Sequence, residues 1–159
     1  MEVTRPGEFI VMDNLHAVAH VRAVAVSLGE AQLGLLKEWM ERRNWVVHAA
    51  GNYQNGLALA AQGPAAVVIT EVELPDGTWR DLLESLDEFE VPPRLVVTSR
   101  TADETLWAEV LNMGGYDVLA QPLDHDEVLR VLDLAWMSWK QEYDLYAAGR
   151  GHGRRARGG

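Results

Sequence analysis

Apolar residues along this chain fall into two alternating patterns. Five short runs, at residues 21–26 (VRAVAV), 44–49 (NWVVHA), 65–69 (AAVVI), 94–98 (RLVVT) and 116–120 (YDVLA), are dense in β-branched and other apolar side chains. Runs this short and continuous fit strands buried on both faces of a parallel sheet. After each run, apolar residues recur every three or four positions, the spacing of a helix with one face turned inward. Residues 31–43 carry Leu33, Leu35, Leu36, Trp39 and Met40 at this spacing, and residues 53–62 turn Leu57, Ala58 and Ala61 inward. A third helix follows Thr78, its predicted cap, with Trp79, Leu82, Leu83 and Leu86 inward. Residues 102–113 use Leu106, Val110 and Leu111, and the last helix, from Glu127 to about Tyr146, uses Val128, Val131, Leu132, Ala135 and Trp139. Asp124 or Asp126 caps that last helix.

The punctuation agrees with the pattern. Gly63-Pro64, Pro92-Pro93 and Gly114-Gly115 stand where helices must stop or strands begin, and Pro75-Asp76-Gly77 reads as a turn. Five strands alternating with five helices predict right-handed crossovers and an α/β, flavodoxin-like, doubly wound five-stranded parallel sheet in the order 2-1-3-4-5, as a single domain. That domain spans residues 21–146. Residues 1–20 form an N-terminal extension, in which Phe9-Ile10-Val11-Met12 is a patch that packs as an extra strand or a helix turn. Residues 147–159 read as a disordered Gly/Arg tail.

Composition narrows the function. Charged residues make up 24% and apolar residues 48% of 159, ordinary for a globular domain. The absence of cysteine excludes disulfides and thiolate metal sites and agrees with a cytoplasmic location. No apolar stretch is long enough to span a bilayer, so no membrane association is expected. A net charge of −10 argues against nucleic acid binding by the body. The tail, with Arg150, Arg154, Arg155 and Arg157 and no acid, reads as a solubilising end segment, with weak contacts to phosphates or an acidic partner as the alternative. Asp13, His16 and His20 have no spacing that makes a zinc site, and His48 and His125 stand alone.

Glu71 is the residue that asks for an explanation. It ends the most apolar run, at the carboxyl end of a buried parallel strand, where open α/β sheets place their ligands. The segments VVITEVELPDG (67–77), LVVTS (95–99) and LNMGGYDVLAQPLD (111–124) together resemble the receiver domain of two-component response regulators, over all five strand–helix units. The resemblance implies a phosphoacceptor Asp, two acids holding Mg²⁺, a hydroxyl residue, a Lys before the proline and an aromatic switch in the fifth strand. Glu71 stands at the acceptor position, Ser27 and Leu28 at the acid pair, Gln121 at the Lys and Val118 at the aromatic. Thr98 alone keeps its type.

This pattern identifies the chain as a degenerate receiver, or pseudo-receiver. One carboxylate is a poor Mg²⁺ site, so no cofactor is expected; a weakly held Mg²⁺ reached by Glu30 and Glu73 is the alternative. Losing metal and Lys removes electrostatic groups that are often worth ~3 kcal/mol each in phosphoryl transfer. The chain is therefore expected not to be an enzyme and to signal by protein–protein contact, with Glu71 accepting a hydrogen bond from Thr98 or sitting idle at the sheet edge. Receivers commonly pair through helix 4, strand 5 and helix 5; here Trp107, Trp136, Trp139 and Tyr143 are the interface candidates, for a protein partner or a homodimer. The alternatives are a conventional phosphorylated regulator with unusual metal ligands and, last, a flavodoxin-like enzyme, for which no GxGxxG, Walker loop or Ser/His/Asp set is present. No output domain follows within this sequence, so the domain is expected to act alone, through a partner, or as part of a longer chain.

Overall fold

The computed structural model describes residues 8–10 and 18–157. Its parallel strands are β2 (Val18–Val26), β3 (Trp45–Ala50), β4 (Val67–Glu71), β7 (Arg94–Ser99) and β8 (Asp117–Ala120), in the spatial order β3-β2-β4-β7-β8. Counting only these strands, that is the predicted 2-1-3-4-5 order. β4 lies at the centre, in register with β2 through Ala23↔Val67 and with β7 through Glu71↔Thr98. Every residue from Val67 to Thr70 is buried, as a strand covered on both faces requires.

Two cores flank the sheet. On one face, α1 (Glu30–Glu41) and α5 (His125–Arg157) cover Val21, Ala23, Ala25, Val67, Ile69 and Val96. On the other, α2 (Tyr53–Ala61), α3 (Trp79–Leu86) and α4 (Glu104–Met113) cover Val24, Val26, Val68, Leu95 and Val97. Alternate residues of each strand thus feed opposite cores. The four inward residues predicted for α3 are all buried, each stabilising by about 1.5–3 kcal/mol. The backbone N–H of Thr78 donates to the Asp81 carboxylate at 2.9 Å, anchoring the start of α3. Asp124, of the two candidate caps, accepts from the N–H of Glu127 at 3.0 Å. Gly114 ends α4 at φ 102°, a left-handed conformation that glycine adopts without a Cβ penalty.

Two expectations change and one open choice is decided. In α2 the buried residues are Gly56 and Ala60, with Leu57 half-buried and Ala58 and Ala61 exposed. A Cβ on Gly56 would stand 2.7 Å from Val26 Cγ2, so the missing side chain lets the helix backbone close on β2 along that line and sets its phase. The apolar patch of the N-terminal extension resolves as a strand: β1 (Glu8–Ile10) pairs antiparallel with Val18–His20, so β2 begins before residue 21. Residues Val11, Met12, Asp13 and His16 lie outside the described residues. Last, α5 runs to Arg157, so the backbone from residue 147 is helical where the sequence reads as a disordered tail. Tertiary packing nucleates the first turns of α5, and each further residue then adds a hydrogen bond without a new nucleation cost.

The turn at residues 75–76 closes a small hairpin, β5 (Glu73–Leu74) with β6 (Gly77–Thr78). The Asp76 carboxylate accepts from the backbone N–H groups of Tyr53 (2.7 Å) and Gln54 (3.1 Å), capping α2 from another part of the chain. Desolvation pushes the Asp76 carboxyl up. The backbone N–H groups of Tyr53, Gln54 and Asp76 itself outweigh it and hold the carboxyl below its ordinary value.

Candidate functional site

At the carboxyl ends of the parallel strands lies a cleft of about 790 Å³ lined by residues that include Ser27, Glu30, Glu71, Ser99, Arg100 and Gln121. It runs along the tips of β2, β4, β7 and β8 and includes the gap between β2 and β4, where the connections leave the sheet in opposite directions, the usual ligand position in open α/β sheets. β4 delivers Glu71 to it half-exposed. Thr98 is the register partner of Glu71 on β7, and Gln121 follows β8, its N–H bonded to Ser99 O at 2.9 Å.

The carboxylate of Glu71 accepts a hydrogen bond from the Gln121 side-chain amide, spanning β7. Thr98 is fully buried and its hydroxyl has no hydrogen-bond partner. Of the two roles expected for Glu71, the bond from Thr98 is not made, and the carboxylate pairs with Gln121 instead. A Glu side chain is one methylene longer than Asp, and it carries its carboxylate past Thr98 to the level of Gln121.

The other site positions are set by packing. Ser27 enters the cleft mouth with φ 61°, a region non-glycine residues seldom adopt, and its N–H donates to Ala50 O at 2.7 Å. Leu28 turns away and packs against the α1/α5 core. Val118 is buried in the core under α4, so an aliphatic side chain fills the place assigned to the aromatic switch. Glu30 lines the cleft, whereas Glu73, exposed on β5, does not.

The arrangement offers a divalent cation only two carboxylates, those of Glu30 and Glu71. Ser27 and Leu28 bring no carboxylate, and Glu71 already shares its charge with an amide. Among the described residues no group of three His, Asp or Glu converges on a point. Gln32, Ser99 and Arg100 line the cleft and were not singled out from the sequence. For Ser99 and Arg100 the available signal was their place just past the fourth strand run, at a strand tip.

The interface candidates separate. Trp107 on α4 is 51% exposed. Trp139 is 2% exposed and stacks on Tyr143 at 4.7 Å, so Trp139 belongs to the core and the expectation of an interface role for it is corrected. Trp136 and Tyr143 are half-buried against the same core. Trp136 stands one turn beyond Asp133, which pairs with Arg43 after α1 at 2.5 Å, so it occupies the α1 side of α5 and not the edge toward α4. Helical phase decides this: residues on the two flanks of one buried stripe face different neighbours.

The family model described as "Response regulator receiver domain" matches residues 29–133. The chain is 30% identical over 103 residues to the photosynthetic apparatus regulatory protein RegA of Cereibacter sphaeroides, covering 65% of this chain and 56% of RegA. It spans about half the length of the curated relatives it matches. Among solved structures it is similar to the signal receiver domain of an HD domain-containing protein from Pseudomonas fluorescens Pf-5 (TM-score 0.69, 23% identity, 78% of this chain and 92% of that one). It is also similar to the beryllofluoride-activated NtrC4 receiver domain dimer (TM-score 0.68, 16% identity, 74% and 98%). Among the described residues no helix is long and apolar enough to cross a membrane.

Proposed function

Because the chain belongs to the response regulator receiver domain family, whose fold it shares, we propose that it is a receiver that signals without accepting a phosphoryl group. The observation that carries this reading is the pairing of Glu71 with Gln121. In this reading the two positions that would hold a phosphoacceptor and its countercharge are occupied by a carboxylate and a neutral amide already bonded to each other. The domain then acts in the cytoplasm as a non-enzymatic two-component signalling module, by protein contact through the region of α4, β8 and α5. The exposed Trp107 is an anchor there. Self-association of a receiver is supported by likeness to the NtrC4 receiver, which is described as a dimer.

Incubation with acetyl phosphate and Mg²⁺, followed by intact-mass spectrometry, tests the reading. No adduct is expected. A stable adduct on Glu71 overturns it. Glu30, which shares the cleft with Glu71, favours the second reading, a regulator with unusual metal ligands. A magnesium titration read by the fluorescence of Trp79 separates the two, since a saturable change supports metal binding and a flat response supports the first.

A further inference from the structure

Helix α5 carries apolar side chains on two sides. Its inner side carries Val128, Val131, Leu132, Ala135 and Trp139, all buried. A second row, Leu134, Met137, Gln141, Leu145 and Ala148, repeats at intervals of three, four, four and three, and every member is exposed. At 3.6 residues per turn this row lies nearly opposite the buried one. Leu134 is 46%, Met137 58% and Leu145 70% exposed. The outer side of a surface helix is ordinarily polar, and a row with exposed Leu134, Met137, Leu145 and Ala148 on either side of a central Gln141 marks a contact surface.

The same helix is polarised in charge. Its start carries Asp124, Asp126, Glu127 and Asp133 against Arg130, and its end carries Arg150, Arg154, Arg155 and Arg157 with no acid after Asp144. Two such helices laid parallel would set arginine against arginine, whereas two laid antiparallel bring each acidic end to a basic one.

We propose that the outer row of α5 is a self-association surface, on which a second copy of this chain lays its own α5 antiparallel. With a two-fold axis at Gln141, Leu134 comes level with Ala148, Met137 with Leu145 and Glu127 with Arg155. The contact is isologous, so one sequence supplies both halves of the apolar row and both halves of the charge pattern. This also gives the Gly/Arg segment a role: it is the basic end that the partner's acidic turns meet. The inference rests on the reading of this domain as one that works by protein contact, and it narrows that contact to one helix face and one kind of partner.

The chain has no cysteine, so introduced ones report the geometry. In the full chain, Gln141→Cys alone should form an intermolecular disulfide under mild oxidation, and Ala148→Cys alone should not. A mixture of Leu134→Cys and Ala148→Cys chains should give the mixed disulfide. Sedimentation equilibrium should find a dimer that weakens with salt and that Leu145→Glu weakens roughly ten- to hundredfold, with the circular dichroism unchanged. A monomer at all concentrations, ready self-linking of Ala148→Cys, or a dimer that dissolves on Trp107→Ala but not on Leu145→Glu overturns the inference. Should acetyl phosphate modify Glu71 while the disulfide pattern holds, the phosphorylation-independent reading falls and the α5 contact stands.

Discussion

Glu71, at the tip of β4, is held by the side-chain amide of Gln121 from beyond β8, across the intervening strand β7. Three neighbouring strands are thereby tied at their carboxyl ends by one side-chain bond. A hydrogen bond to a charged group is worth about 1.5–3 kcal/mol when buried, and partial exposure of both residues reduces this. A double-mutant cycle of Glu71→Ala and Gln121→Ala, followed by urea unfolding, should return a coupling of about 1 kcal/mol. Additive single mutants would mean that the bond is not made in solution.

The hydroxyl of Thr98 is buried without a partner beneath that bond. An unsatisfied buried hydroxyl costs about 1–3 kcal/mol, and Val has nearly the same shape as Thr. Thr98→Val should therefore raise stability by ~1 kcal/mol, while Thr98→Ala, which leaves a void, should not. Destabilisation by the valine would show that the hydroxyl bonds to Glu71 or to water.

Close approach of α2 to β2 depends on Gly56. Alanine is the better helix former, yet its Cβ would meet the γ-methyl of Val26 at 2.7 Å, and Val is stiff at χ1. Gly56→Ala should cost about 1–3 kcal/mol by overpacking, measurable as a lower urea midpoint with unchanged slope. A more stable variant would mean that helix propensity outweighs the clash.

Asp76 predicts a pH dependence. Its folded-state carboxyl lies below the ordinary value of 3.8, so the unfolded chain binds that proton first as pH falls. The stability it contributes is complete above 3.8, declines below it, and is gone once pH has passed through the lower folded-state value. Asp76→Ala should be less stable than the parent at neutral pH and should lose less on acidification. Parallel acid-unfolding curves for the two proteins would refute the cap.

Much of the fold could be read from residue order. The run 65–69 is too apolar to sit anywhere but the middle of a sheet. The spacing of Trp79, Leu82, Leu83 and Leu86 admits one inward face, and Gly114 marks a helix end because few other residues accept its dihedral angles. Such signals are local: each depends on a residue and its neighbours within two turns. The segments around Glu71, Thr98 and Gln121 were legible for the same reason, each being a strand with its tip.

What sequence could not decide was which tips meet. Glu71 prefers Gln121 to the nearer Thr98 because of one methylene of side-chain length set against the spacing of three strands, a quantity that exists only once the sheet is assembled. The phase of α2 follows from the fit of Gly56 against Val26, thirty residues earlier in the chain. The depth of each α5 aromatic, Trp139 in the core and Trp136 and Tyr143 half-buried against it, follows from how that helix packs on the sheet and on α1. Periodicity specifies a face, but only packing specifies what the face looks at.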